Sequence, residues 1–224
     1  MDAEPSFASE PSGTSIDLYW MPLGAGGVGF VRLNGRIYEA IQACFERRRP
    51  LDLYHTALEV RVAEGRFTIE NAWPSPDADI ASRGVVLEGP VFSRRITGLR
   101  WLRYEVRRWR DGIIPDAGEA VASPQRLSDD PLRARCLLHL VASVPALIWG
   151  RDELGTGEMW NSNSVISSLL ARSGLPAEAI QPPARGRAPG WEAGIIAAYR
   201  QEGSQERTSG IIEDAESADL PPPV

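Results

Sequence analysis

The sequence contains no lysine, and all 24 of its basic residues are arginine. This excludes chemistry that needs a lysine amine, such as Schiff-base formation or the phosphate-binding lysine of a P-loop. Cysteine and histidine are almost as scarce, with two of each. Cys44 and Cys136 predict no disulfide framework and fit a reducing compartment. Because the cysteines and histidines lack metal-ligand spacing, we expect no metal and no other cofactor.

Long apolar runs and an excess of positive charge are also missing. No apolar run approaches the roughly 18 residues that would span a bilayer. Residues 1–13 lack the basic start and apolar stretch of a signal peptide. We therefore expect a cytoplasmic protein with no membrane partner. The net charge of -6 argues against nucleic acid as a partner. Arginine in place of lysine, with abundant alanine, glycine and proline, suggests a GC-rich bacterial genome.

What is present is enough apolar sequence for one core. The chain has 224 residues, of which 43% are hydrophobic. The patterns predict strands over 17–23, 53–62, 66–71, 84–88 and 99–109, and helices over 36–48 and 132–141. A further helix ends at 172, and 191–199 form a strand or short helix. We expect a single α+β domain over 15–200, a disordered N-terminus over 1–14 and a disordered acidic, proline-rich tail over 201–224.

A glycine-rich segment over 24–29 follows the first predicted strand and matches the G-x-G-x-x-G spacing of dinucleotide-binding loops. That function requires a helix to begin at the last glycine. The following residues, 30–33, have an extended pattern and lead to an Asn-Gly turn. The segment is therefore interpreted as a surface loop. In one interpretation this loop lies close to the functional site.

The segment 159–170 (MWNSNSVISSLL) predicts a buried helix with polar residues at its start. Asn and Ser side chains at a helix start accept hydrogen bonds from unpaired backbone N–H groups. Ser162 shares a face with Ile166 and Leu169, so we expect it to point inward at the positive end of the helix dipole. That position favours an anion or an activated nucleophile. In the simpler interpretation the polar residues only cap the helix.

The two histidines are the candidates for a catalytic base. His139 lies in the middle of a predicted helix, three residues after Cys136, a thiol that we expect to be buried and inert. His55 begins a predicted strand, and a rigid sheet can hold its imidazole toward the start of a helix. A nucleophile at a helix start beside such a histidine is the papain-type arrangement.

Two motifs resemble those of the PPPDE deubiquitinase-like peptidases. Residues 54–60 (YHTALEV), followed by the strand that contains 67–70 (FTIE), resemble the family's histidine motif, approximately Y-H-T-G-[VL]-E-V. Residues 161–164 (NSNS) resemble its N-C-N-[HS]-F motif. The family belongs to the circularly permuted papain-like group, with NlpC-like proteins and lecithin retinol acyltransferases. The resemblance implies an antiparallel sheet packed against a nucleophile helix, and isopeptide cleavage.

The chain departs from the family at the nucleophile, since Ser162 stands where the family has cysteine. A thiol is partly ionised near neutral pH, whereas a hydroxyl needs a well-oriented base at the moment of attack. In the catalytic interpretation His55 is that base. Glu70 or Asn71 on the next strand orients the imidazole. The oxyanion or substrate is held by the backbone at the helix start and by three neighbouring residues, Trp160, Asn161 and Asn163.

Three interpretations follow from these motifs. In the first, Ser162 and His55 form the site of a hydrolase or acyltransferase that acts on an amide, isopeptide or (thio)ester bond. In the second, the papain-like fold is catalytically inactive and binds a peptide, protein or acyl group. In the third, His55 is an ordinary strand residue and Ser162 only part of a helix cap. Among the seven tryptophans, Trp160 is expected to line a pocket. The arginines over 100–110 are interpreted as a solvated sheet face.

Overall fold

The computed structural model describes residues 13–23, 47, 49–74, 84–91, 93–94 and 102–218, with side chains described as far as residue 204. The described chain is α+β. Its strands are β1 (Ser15–Pro22), β2 (Asp52–Val62), β3 (Gly65–Ala72), β4 (Val85–Pro90), β5 (Arg103–Arg110), β6 (Gln125–Ser128) and β7 (Gly186–Arg187). Its helices are α1 (Pro131–Leu140), α2 (Ser162–Arg172) and α3 (Trp191–Ala218).

The strands form one sheet in the order β4-β5-β3-β2-β1-β6, with every neighbouring pair antiparallel. The short β7 pairs with the start of β2 in parallel. The hairpin predicted from the sequence is β2–β3; it turns at residues 63–64, and the next residue, Gly65, has a φ of 137° that is easily adopted only by glycine. Its pairing runs from Val62↔Gly65 to Leu58↔Ile69.

Side chains on the strands alternate between two faces, as strand geometry requires. One face carries the main core, which includes Leu18 of β1, Leu58 of β2 and Ile69 of β3, all fully buried. On the other face, Met21 and Ala57 pack with Ile114 in a small second cluster. Helix α2 lies against the first face, which is called the helix face below, and the second is called the charged face.

Helix α1 begins as the sequence predicts. Asp130 is the N-cap residue and its carboxylate accepts a hydrogen bond of 2.8 Å from the backbone N–H of Leu132. Pro131 occupies the first turn, where its missing N–H leaves no hydrogen bond unmade. Cys136 is exposed, in contrast to the expectation of a buried thiol, because the helix turns Leu137 and Leu138 toward the core instead.

Helix α2 has well-formed signals at both ends. Asn161 and Ser164 form a capping box, in which the Asn161 side chain accepts from Ser164 N–H and the Ser164 hydroxyl accepts from Asn161 N–H. At the other end Gly174 has φ of 74°, and the N–H groups of Gly174 and Leu175 bond to the carbonyls of Ala171 and Leu170. This is the pairing of a Schellman motif, and it stops the helix where the sequence predicts.

Helix α3 packs closely on α2. A Cβ atom on Gly194 would lie 2.1 Å from both the Ser164 carbonyl oxygen and the Ser167 hydroxyl, so only glycine permits this approach. The Ser167 hydroxyl donates to the Trp191 carbonyl at 2.7 Å. The Trp191 ring lies 5.3 Å from that of Trp20, which joins α3 to the first strand. These contacts fix the start of α2 against the sheet.

Several expectations need correction. The short strands β6 and β7 were not predicted, since four-residue and two-residue segments carry little periodicity. The tail expected to be disordered from 201 is helical as far as Ala218. That stretch contains many good helix formers and no proline, so a helix that starts at Trp191 can continue through it. Expectations for 1–12, for 24–29 and for the helix over 36–48, apart from Arg47, concern residues outside the described ranges.

Candidate functional site

His55 lies near the start of β2, directly opposite Met21 of β1. Its side chain is 27% exposed, and its Nε2 atom lies 3.8 Å from a carboxylate oxygen of Asp116. Burial lowers the pKa of the imidazole to about 4, because a charged ring would lose its hydration there. Burial also raises the pKa of Asp116. At neutral pH the imidazole is therefore uncharged.

Ser162 is the first residue of α2 and is 6% exposed, so it is buried at the helix start. Its position gives the hydroxyl the positive end of the helix dipole. Among the described residues it has no hydrogen-bond partner through its side chain, and none joins it to His55. A serine needs a base in contact with its hydroxyl to become a nucleophile.

The side chains that join β2 to the start of α2 are Thr56 and Asn163. The Thr56 hydroxyl donates to Asn163 Oδ1 at 2.9 Å, and Asn163 Nδ2 donates to the Tyr54 and Pro189 carbonyls, each at 2.9 Å. Both side chains are almost fully buried. We refer to this set of contacts as the Thr56–Asn163 clasp. It uses the whole hydrogen-bonding capacity of the Asn163 amide nitrogen for the fold.

Alternation along β2 separates the predicted pair. Thr56 points to the helix face together with Leu58 and Val60 of the main core. His55 therefore points to the charged face, as Ala57 does in its contact with Ile114. The structure thus does not bring His55 and Ser162 together, since the sheet lies between their side chains.

The sequence carried a signal for this arrangement. Within 54–62, Leu58 and Val60 mark the even positions as core-facing, whereas Glu59 and Arg61 mark the odd positions as polar. His55 belongs to the odd set. Weighing the strand pattern as heavily as the motif would have placed the imidazole on the polar face.

Glu70 shares the charged face with His55 but binds Arg107. Arg107 Nη1 lies 2.8 Å from Glu70 Oε1, and its Nε and Nη2 atoms donate to one oxygen of Glu105 at 3.1 and 2.8 Å. All three side chains are buried. The interpretation of the arginines over 100–110 as a solvated sheet face is therefore wrong for Arg107. Burial raises the pKa of Glu70, while Arg107 acts in the opposite direction.

The carboxylate near the imidazole is Asp116, which the sequence analysis missed. Asp116 lies in a segment after β5 that crosses the charged face, where the Thr68 hydroxyl donates to the Gly112 carbonyl at 2.9 Å. Nothing in the local sequence marks it, because its contact with His55 spans about sixty positions and depends on the path of that segment. At 3.8 Å the imidazole and the Asp116 carboxylate lie beyond hydrogen-bond distance, and among the described residues no hydroxyl or thiol is hydrogen-bonded to either side chain.

The residues expected to hold an oxyanion serve the fold instead. Asn161 Oδ1 accepts from the N–H of Asn163 at 2.9 Å, and Asn161 Nδ2 donates to the Pro189 carbonyl at 2.9 Å. Trp160 is 1% exposed, so it belongs to the core and not to an open pocket wall. Its indole nitrogen is buried and has no hydrogen-bond partner at normal geometry. Asn71 is on the helix face, so it is not available to orient His55.

Other kinds of site are not formed by the described residues. Cys136 and His139 are both exposed on α1, and no group of three or more His, Cys, Asp or Glu side chains within the described ranges is arranged to hold a metal ion. Among those same residues, no helix combines the length and apolar character needed to cross a bilayer.

Comparison with known proteins gives no relative: no family model, no curated protein and no solved structure matches the chain.

Proposed function

We propose that the chain is a non-catalytic module that binds a peptide or protein segment, on a scaffold arranged like the circularly permuted papain-like domains. Two features support the scaffold. Helix α2 carries a polar cluster at its start and packs on an antiparallel sheet. The strand that it contacts through the Thr56–Asn163 clasp, β2, belongs to the first hairpin. In this scaffold the order of strand and helix along the chain matches the resemblance found in the sequence.

The observation that carries the non-catalytic part of the proposal is the position of His55. Its imidazole points away from the face that holds Ser162, and the Asn161 and Asn163 side chains at the helix start are occupied by cap and clasp hydrogen bonds. Catalysis by a serine needs a hydrogen-bonded base and free oxyanion donors in one place. A site that lacks the base and the oxyanion donors can still bind a peptide.

The second candidate is a Ser-His hydrolase or acyltransferase, and one observation favours it. Ser162 is buried at a helix N-terminus, and its hydroxyl has no hydrogen-bond partner among the described residues. That candidate requires a proton acceptor to reach Ser162 in a liganded state.

A labelling experiment separates the two candidates. The native protein is treated with a fluorophosphonate probe, with Ser162→Ala as the matched control. A binding module shows no labelling of either protein, whereas a serine hydrolase is labelled at Ser162 only in the native chain. A displayed library of random peptides then tests binding, and we expect enriched peptides to bind native protein and Ser162→Ala equally. Labelling at Ser162, or the absence of any enriched peptide, would contradict the proposal.

A further inference from the structure

The sheet opens beside the start of α2. Pairing between β2 and β3 ends at Leu58↔Ile69, although both strands continue. The next residues on the helix face are Thr56 of β2 and Asn71 of β3. Thr56 is engaged by Asn163, which leaves the Asn71 side chain on the other side of the opening.

Asn71 is unusual among the polar residues of this face. Both polar atoms of its side-chain amide are buried, and neither has a hydrogen-bond partner. A primary amide offers donors and an acceptor, and leaving them buried and unpaired is costly, so such groups in a folded protein require an explanation. Trp160, which directly precedes the cap of α2, adds a buried indole N–H that lies near the Tyr104 hydroxyl without forming a hydrogen bond of normal geometry.

Aromatic rings surround the same end of the sheet. Trp73 follows Asn71 by two positions, and its ring centroid lies 6.1 Å from that of Trp149. Trp149 in turn lies 5.6 Å from Tyr104 of β5. The Trp160 indole is close enough to Tyr104 to oppose the effect of burial, which raises the pKa of that phenol to about 12. We refer to Asn71, Trp73, Tyr104, Trp149 and Trp160 as the aromatic–amide cluster.

One ring of the cluster is open to solvent. Trp73 is 51% exposed, whereas Tyr104 and Trp160 are each 1% exposed. A half-exposed tryptophan two residues after a buried, unpaired amide is an arrangement expected where a ligand adds apolar contact and hydrogen bonds together.

Charged side chains beside the cluster are already paired: Arg107 Nη2 donates to the Trp73 carbonyl at 3.1 Å, and the same guanidinium binds Glu70 and Glu105. Arg103 lies 2.8 Å from Glu88, and Arg94 lies 3.2 Å from Glu153. These pairs therefore leave no unbalanced charge that would attract a charged ligand. An uncharged ligand can bind without disturbing them. The chemistry of the cluster fits an amide with an apolar neighbour.

We infer that the aromatic–amide cluster binds an uncharged peptide segment, whose backbone amide pairs with Asn71 and whose apolar side chain packs on Trp73 and Trp149. This inference rests on the proposed function and names its site and ligand class. A peptide amide supplies the acceptor and donor that the Asn71 side chain lacks. Leucine, methionine, proline or an aromatic residue supplies the apolar contact. Binding moves the exposed Trp73 ring and leaves the more deeply buried Trp160 ring in place.

The test uses N-acetyl-leucine N′-methylamide as a probe, with side-chain amide and indole signals of the full chain followed by nuclear magnetic resonance. We expect saturable shifts at the Asn71 amide and at the Trp73 and Trp160 indoles. N-acetyl-leucine methyl ester is the matched probe, because it lacks one amide N–H. Because the ester forms one neutral hydrogen bond fewer than the amide, we expect its affinity to be about three- to tenfold lower.

The matched variants are Asn71→Leu and Gln181→Leu, which introduce the same side chain in the cluster and at an exposed position away from it. Asn71→Leu removes an unpaired buried amide, so we expect the Tm of the free protein to stay the same or rise while affinity for the probe falls about tenfold or more. Gln181→Leu leaves affinity unchanged. Trp73→Leu is a second test variant. It replaces a half-exposed residue, and we expect it also to lower affinity for the probe.

Three outcomes overturn the inference. The first is no saturable shift at the cluster. The second is a lower Tm for Asn71→Leu with unchanged affinity, which assigns the amide to the fold. The third is probe binding that shifts only the His55 and Asp116 signals on the charged face. In the third case the proposed binding function survives and only its location is rejected, whereas labelling of Ser162 rejects the function itself.

Discussion

The two faces of the sheet stabilise their polar groups in different ways. On the helix face the buried polar side chains are neutral, and Thr56 and Asn163 join β2 to α2 by hydrogen bonds inside an apolar core. On the charged face Arg107 neutralises two buried carboxylates, and His55 lies uncharged beside Asp116. Burying a neutral hydrogen-bonded pair costs little free energy, whereas a buried charge is strongly destabilising unless all of its partners are present. The charged face should therefore respond more strongly to single substitutions and to pH.

The largest effect is expected for Arg107→Met. This change leaves Glu70 and Glu105 buried without their cation, and breaking a buried ion pair costs about 3–5 kcal/mol. Urea unfolding measures the free energy of unfolding. Arg135→Met is the matched control, since the Arg135–Glu64 pair is exposed and an exposed ion pair contributes little to stability. Equal losses in the two variants would contradict the contrast between the faces.

A smaller loss is expected for Asn163→Ala on the helix face. It leaves the Thr56 hydroxyl and the Tyr54 carbonyl without the partners that they have in the clasp. The expected decrease in the free energy of unfolding is about 2–3 kcal/mol, since unpaired buried polar groups each cost about 1–3 kcal/mol and partial relaxation offsets some of the loss. Thr56→Val is the partner variant, and a double-mutant cycle with Asn163→Ala should show coupling. Additive effects would mean that the clasp does not act as a unit.

The pH dependence of stability tests the charged face through His55. Its pKa is about 4 in the folded protein against 6.5 for the ordinary imidazole, so the unfolded chain binds more protons between those values. Stability is therefore full above pH 6.5 and decreases as the pH falls from 6.5 toward 4. The expected contribution is about 2 kcal/mol, reduced from the full shift because the ring is partly exposed.

His55→Gln should remove this part of the pH slope, as measured by the difference between variant and native unfolding curves. Taking the difference separates His55 from Asp116 and Glu70, whose pKa values are raised by burial and whose contributions therefore have the opposite sign. His139→Gln, at the exposed histidine of α1, is the control. An unchanged slope in His55→Gln would show that the imidazole does not titrate as its burial implies.

Much of the local structure could be predicted from the sequence. The β2–β3 hairpin, the Asp130 cap of α1 and the capped start and glycine stop of α2 are all present near the predicted positions. These features depend on residues within one or two turns of each other, so the information is local. The short strand β6 and the length of α3 were missed, because neither has a distinct local pattern.

The candidate site was less predictable. Ser162 is buried at a helix start as expected, yet the β2 side chain that bonds to the helix start is Thr56, through Asn163, and not His55. Glu70 is on the predicted strand but pairs with Arg107, and Asp116 takes the place beside the imidazole. Each of these partnerships joins residues more than thirty positions apart. Motif similarity indicated which residues are polar and close to element ends, but not which of them meet.

The sequence by itself determined approximately where the longer strands and the helices α1 and α2 begin and end, and which strand positions are apolar. Only the tertiary structure decided that α2 covers the Thr56 side of β2 and that a segment containing Asp116 crosses the other side. The physical reason is that successive side chains of a strand point to opposite faces, so the choice of covered face separates neighbours such as His55 and Thr56 completely. The alternation along β2 indicates which side is buried, but the packing of distant segments decides which of them covers each side.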